Sequence, residues 1–327
     1  MKKFFALILA LVMALSLVAC GSSDAPAADD GGDTTAPATL RFVTGGESGT
    51  YYAFGSVIAQ HATNNAGVDV VGLVGNGSQS NVYELDDGNA ELAFCQSDVM
   101  AYAYEGTNLF DTPVSCFSTL AALYTEQVQI VTLDPEIKTV ADLKGKSVSI
   151  GAAGSGVYFN AIDILGVYGM TEDDINPTYQ SFGDSADALK NGQIDAAFIV
   201  AGAPTTAVTD LATTKSVNLV SLDAEHVAKL LESSPYYAEC TIAKDVYGTE
   251  NDIVTVGVGA VVLVRNDVSE DAVYAICADI FDNAADLVSS HAKYGEVSLE
   301  YGASITSVPY HPGAAKYFAE KGLTVAG

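Results

Sequence analysis

Arginine is nearly absent from this chain. Its 327 residues carry 14 lysines and arginines together against 41 aspartates and glutamates, a formal net charge of −27 at pH 7, and the two arginines are Arg41 and Arg265. That imbalance excludes nucleic acid and anionic lipid surfaces as partners, because both are held by clustered basic side chains. It does not exclude a small anion, since backbone dipoles act locally within a cleft.

Catalytic and metal-binding signatures are also missing. His61 and His226 fall on expected helices without metal-ligand spacing, and His311, before Pro312-Gly313, reads as a loop or cap residue. Cys95, Cys116, Cys240 and Cys277 match no zinc pattern, and the spacing leaves open whether they pair or stay as buried thiols. Asp29 to Asp33 lacks the spacing of a calcium loop. The acidic pairs Asp86-Asp87 and Asp173-Asp174 sit at helix edges and read as solvated surface. No nucleophile elbow, Walker loop or dinucleotide fingerprint occurs, so no cofactor, metal or catalytic residue is assigned.

The N-terminus has a clear organisation. Lys2 and Lys3 precede the apolar run Phe4 to Leu17, which is too short to span a bilayer comfortably. Leu17-Val18-Ala19-Cys20 reads as a lipobox, giving a signal peptide over residues 1–19 and a diacylated Cys20; an ordinary secretory signal or a bare anchor are the alternatives. Residues 20–38, rich in Ala, Asp, Gly, Thr and Pro, form a tether. The expected location is extracytoplasmic, held at the cell membrane by lipidated Cys20.

From Thr39 onward strands alternate with helices, the pattern of an α/β fold with parallel sheets flanked by helices. The runs "VDVVGLV" (68–74) and "IDAAFIVA" (194–201) are nearly continuous apolar, as strands buried on both faces should be. The remaining length, about 290 residues, suits two lobes. The expected lobes are 39–127 plus 256–327 and 128–255, joined by two hinge crossovers. Helices are expected over 270–291 and 312–321.

Ligands in such folds bind beyond the carboxyl ends of the strands. The first strand-to-helix turn, in "VTGGESGTYYAFG", offers Glu47, Ser48, Gly49, Thr50 and Tyr51. The second offers Asn76, Ser78 and Asn81, and the third Gln96 and Ser97, with Asp98 as a helix cap. Gly154, Ser155, Gly156 and Val157 mirror the first turn in the second series, and Gly202 and Pro204 form a fifth turn, with Pro204 in the first helical turn. Glycines allow close backbone approach. Helix N-termini and hydroxyls supply donors suited to a carboxylate or phosphate. Thr50 and Ser155 are the expected hydroxyl donors to the solute.

The segments "TGGESGTYYAFGSVIAQ", "AELAFCQSDV", "DLKGKSVSIGAAGSG", "ALKNGQIDAAFIVAGAP" and "HPGAAKYFAEKG" resemble, in order, motifs of the TAXI family, the extracytoplasmic solute receptors of TRAP transporters. The resemblance implies a two-lobed type II periplasmic-binding-protein fold, a TRAP integral-membrane permease as partner, and a dicarboxylate or acidic amino acid such as glutamate as solute. Two positions depart from the pattern. Glu47-Ser48 stands where the family has small residues, leaving Glu47 either against an ammonium group or in solvent. Val157 stands where a Thr is usual. The binding protein of an ABC importer or of a sensor, and more remotely an enzyme on the same fold, are the alternatives.

Overall fold

The computed structural model describes residues 39–327. The signal peptide, Cys20 and tether expected over residues 1–38 lie outside the described residues. Among the described residues no helix is long and apolar enough to cross a membrane.

Ten strands form one mixed sheet: β1 (Leu40–Val43), β2 (Val70–Leu73), β3 (Leu92–Gln96), β4 (Phe117–Thr132), β5 (Ser147–Ser149), β6 (Asn176–Thr178), β7 (Ala196–Ala201), β8 (Asn218–Leu219), β9 (Ala238–Ile242) and β10 (Ile253–Arg265). Their order is β2-β1-β3-β10-β4-β7-β5-β6, with β8 beside β4 and β9 beside β10. The outer groups β2-β1-β3 and β7-β5-β6 contain the expected parallel pairs. Between them β10 and β4 run antiparallel to each other and to β3 and β7. These two strands are the crossovers. Ala260 to Val264 of β10 pair with β3, whereas Ile253 to Gly257 pair with β9. In β4, residues 117–127 pair with β10 and residues 127–132 with β7. Register shifts after Ala260 and Val262 bend the shared ladder.

Three apolar clusters follow from this arrangement. One packs around β1, β3 and the adjoining parts of β4 and β10. The other two cover opposite faces of the second group of strands. Strand β7 shows why its run is continuously apolar. Ala196, Phe198 and Val200 enter one cluster, while Ala197, Ile199 and Ala201, pointing the other way, enter or border the other.

Three expectations need correction. The run at β2 is an edge, not a doubly buried strand: Val71 is 41% and Leu73 37% exposed, because only β1 pairs with β2. The long helix at 270–291 breaks into Glu270–Asp282 and Ala284–Leu287. There Asn283 turns its Nδ2 back to the Asp279 carbonyl at 2.9 Å, a local side-chain bond that competes with helix continuation. Pro204 lies outside its helix, in a cis peptide with Ala203; Thr205 is the N-cap and the helix is Thr206–Ala212.

Five helices bear on the site: α1 (Thr50–His61), α2 (Ser78–Asp86), α3 (Ser97–Glu105), α4 (Val157–Val167) and α5 (Phe182–Lys190). Helix α1 lies close to the sheet through Gly55, where an added Cβ would stand 2.6 Å from Thr44 Cγ2 and 3.2 Å from Phe94 Cε2. Replacing Gly55 by Ala should therefore destabilise the protein by about 1–3 kcal/mol, although Ala is the better helix former. Urea titration checks this, and an unchanged midpoint would contradict the packing.

Candidate functional site

A cavity of about 370 Å³ lies where the turns after β1, β2 and β3 meet those after β5, β6 and β7. This is the carboxyl-end location expected for an open α/β sheet. Helices α1, α2 and α4 begin at its wall with Gly49, Gly77 and Gly156 as N-caps, none of which makes a side-chain cap bond. The first N–H groups of α1 and α4 therefore have no capping side chain and are available to a ligand, whereas in α2 the Ser80 N–H is taken by Gly154 O. Helix α5 also starts at the wall, but Ser181 accepts a bond from Asp184 N.

Close approach between the two sides depends on glycine. Gly77 has φ +105°, and an added Cβ would lie 3.1 Å from Ser155 Cα. At Gly156 the φ of −72° suits any residue, but a Cβ would overlap Gln96 Oε1. Across the mouth, Ser80 N donates to Gly154 O at 2.9 Å, and Thr50 Oγ1 donates to Gly202 O at 2.8 Å.

A buried polar chain spans the two sides. Gln96 Nε2 donates to Asn160 Oδ1 at 3.0 Å, and Asn160 Nδ2 donates to Asp98 Oδ2 and to the Tyr237 oxygen, both at 2.9 Å. Tyr237 donates onward to Asp163 Oδ2 at 2.8 Å. Burial pushes the Asp98 carboxyl up to about 7, against the Val99 N–H and the Asn160 amide that hold it down. Glu126, on β4, lines the cavity and accepts the Tyr51 hydroxyl at Oε2, 2.7 Å away. Burial pushes it up to about 8, and Tyr51 opposes that rise.

Of the residues read from the turns, Glu47, Ser48, Gly49, Thr50, Tyr51, Asn76, Ser78, Gln96, Ser155, Gly156 and Val157 stand on the wall. Glu47 and Asn76 are exposed, whereas Gln96 and Ser155 are buried with Gln96 Oε1 and Ser155 Oγ unpartnered. Thr50 is on the wall, but its hydroxyl is committed to Gly202 O. Asn81, Ser97, Gly154, Gly202 and Pro204 lie off the wall. Asn81 Nδ2 ties the carbonyls of Thr44 and Phe94, and Ser97 Oγ accepts Gly259 N. Gly154 and Gly202 offer their carbonyls to Ser80 and Thr50. Asp98 is not a cap; Gln96 holds the N-cap position, and Asp98 is buried in the polar chain.

Sequence reasoning missed Glu126, Gln180, Ser181 and Phe182, which also line the cavity. "TYQSF" reads as a strand, but β6 ends at Thr178. The signal was Ser181 with Asp184 three residues on, a helix start. No lysine, arginine or histidine stands on the wall among the described residues. Arg41 is tied to Glu91 and Arg265 to Asp267. His61 pairs with Asp279, His226 with Asp223, and His311 caps the helix Pro312–Glu320. The four described cysteines are free, with Cys95 and Cys277 buried.

A model of the NMT1-like family matches residues 42–322. The chain belongs to the NMT1-like family. The matched span of this NMT1-like chain includes every residue of the cavity wall. A solved structure from Bordetella bronchiseptica RB50 is 16% identical, with a TM-score of 0.53 over 86% of this chain and 89% of that one. The periplasmic aliphatic sulphonate binding protein SsuA from Escherichia coli is 16% identical, with a TM-score of 0.47 over 87% of this chain and 90% of that one. A putative L-cystine ABC transporter protein from Listeria monocytogenes is 14% identical, with a TM-score of 0.48 over 81% and 98%.

The two raised carboxyls make stability depend on pH. Folded, Asp98 and Glu126 keep protons that the unfolded chain has lost above the ordinary carboxylate range near 4, so stability falls as pH rises toward about 7 and 8. The slope is at most about 1.4 kcal/mol per pH unit for each group. The thermal midpoint should fall between pH 5 and 8, and Glu126→Gln should make that fall shallower. A midpoint that rises over this range would contradict the assignment.

Proposed function

We infer that this chain is the solute-binding component of a membrane transport system, capturing a small carboxylate-bearing solute between two lobes. The observation that carries the reading is the cavity itself. Two helix N-termini without a capping side chain, those of α1 and α4, meet there beside two buried polar atoms, Ser155 Oγ and Gln96 Oε1, that have no partner among the described residues. A buried polar atom without a partner costs about 1–3 kcal/mol, which a matching ligand removes. The lobes are 39–127 plus 256–327 and 128–255, with β4 and β10 as the hinge, and solute is enclosed when they close. The role is binding without reaction.

The membrane partner has two readings. A TRAP permease rests on the resemblance of the five segments to TAXI receptors, as does a dicarboxylate or acidic amino acid as solute. An ABC importer is the assembly named for the Listeria monocytogenes protein and for a substrate binding protein of an amino acid ABC transporter. Neighbouring genes discriminate: a fused multi-span permease supports the first, an ATPase the second. An extracytoplasmic location, with Cys20 lipidated, rests on the leader sequence; metabolic labelling with palmitate tests it.

The turns yield a sharper test. Ser155→Ala should weaken solute binding by about 1–2 kcal/mol at unchanged fold stability. Thr50→Ala should instead lower thermal stability, because its hydroxyl bonds Gly202 O and not the solute. Calorimetry and melting curves separate the two. Equal affinity of Ser155→Ala and the parent protein would remove Ser155 from the site.

A further inference from the structure

The polar chain fixes which atoms face the cavity. Tyr237 has one hydroxyl hydrogen, and it goes to Asp163 Oδ2. The Asn160 atom 2.9 Å from the Tyr237 oxygen must therefore be the donor Nδ2, which also reaches Asp98 Oδ2. Asn160 Oδ1 then faces Gln96, so the Gln96 atom bonded to it is Nε2. What remains on the Gln96 side chain is Oε1, an acceptor, 98% buried by residue and without a partner.

Glu126 presents a second acceptor on the same wall. Tyr51 donates to Oε2. Gln96 lies beside it, close enough for its amide to help hold the Glu126 carboxyl down. Two neighbouring buried acceptors, one of them a carboxyl, call for a donor-rich cationic group. The uncapped helix N-termini call for an anionic one. The wall also carries the apolar side chains of Val74, Val157, Phe182 and Val200, alongside the polar ones of Asn76, Gln180 and Ser181.

We propose that Glu126 and Gln96 receive the ammonium group of the solute, which makes the cavity specific for a zwitterionic amino acid with an uncharged side chain over a dicarboxylate. This rests on the solute-binding reading above and narrows it. A dicarboxylate brings two negative charges to a wall that has no cation among the described residues, and its second carboxylate meets Glu126 or the apolar side chains. A zwitterion pairs both of its charges. Glu47, the acid noted in the first turn, is exposed, and Glu126 takes the role of ammonium partner.

Binding then displaces a proton. Burial pushes the Glu126 carboxyl up to about 8, which favours its protonated form at pH 7, and an arriving ammonium group ionises it. The charged and titratable groups around Glu126 are Tyr51 of α1, Asp98 of α3, Lys293 of the turn Ala292–Glu296, Tyr301 of the short helix Leu299–Gly302, Tyr124 on its own strand, and Cys95 of β3. Asp98 also titrates near pH 7, and its exchange persists when Glu126 is replaced.

The test is calorimetry of the full-length, ligand-free protein with L-leucine, L-glutamine, L-glutamate, succinate and L-malate, at pH 7 in two buffers of different ionisation heat. L-Leucine or L-glutamine should bind at least about tenfold more tightly than L-glutamate and either dicarboxylate. Proton release should accompany binding, with affinity rising from pH 6 to 8. Glu126→Gln, nearly isosteric and still able to accept from Tyr51, should weaken amino-acid binding by about 10- to 100-fold and remove the part of the proton release due to Glu126. Succinate, L-malate or L-glutamate binding most tightly would overturn the inference and leave the solute-binding reading intact. So would unchanged affinity and proton release in Glu126→Gln. Failure of all five solutes to bind the folded protein would remove both.

Discussion

The two sides of the cavity meet around one buried hydrogen bond, from Gln96 Nε2 to Asn160 Oδ1. It joins the end of β3 to α4 between two side chains that are almost wholly buried. Neither amide could lose the other without water or a ligand taking its place, since an orphaned buried amide costs about 1–3 kcal/mol. The bond also explains a glycine that backbone conformation does not. Gly156 has an ordinary φ, but any side chain there would displace Gln96 and pull its Nε2 from Asn160. The Gly/Ser turn at 154–156 therefore serves approach as much as flexibility.

Strands β4 and β10 place that bond and Glu126 in one region. Gln127 pairs with Gly257 on one side and with Ala201 on the other, so the change of partners happens one residue beyond Glu126. At Gly257 an added Cβ would stand 2.6 Å from Thr125 Cγ2, so the two long strands lie closest where they pass from one half to the other. Glu126 thus sits at the crossing, where a change in the angle between the halves alters its surroundings most directly. On the proposed reading, ligand pairing at Glu126 and closure of the halves would be coupled by position, without any relay between distant sites.

Much of this was legible in the sequence because it is local. Strand-to-helix turns carry glycines and hydroxyls at adjacent positions, so most of the wall from Gly45 to Val157 could be read without tertiary knowledge. The alternation of strands and helices indicated the α/β class. What escaped was long-range. Glu126 lies within an alternating strand segment, "TEQVQ", and resembles a solvated strand acid. Its burial comes from Tyr51, 75 positions earlier, and from the sheet closing over it. Asp98 escaped for the same reason, since a cap and a buried acid look alike until α4 brings Asn160 against it. The edge character of β2 depends on which strand lacks a second neighbour, and periodicity does not report that.

The charge distribution now has a physical reading. Both arginines neutralise acids away from the cavity, and Lys293, buried beneath Gly202, is paired with Glu296. The net charge of −27 opposes long-range attraction of an anion, so steering does not bring the solute in. On the proposed reading a carboxylate would be held only at contact distance, by N–H groups fixed in helices and therefore already oriented before it arrives. Such donors are short in range and demand close fit. A mobile lysine could follow many ligands, whereas a helix N-terminus cannot, and closure of the second wall onto the first completes the contact. Selectivity then lies in the match between fixed donors on one side and the two acceptors, Glu126 and Gln96, on the other.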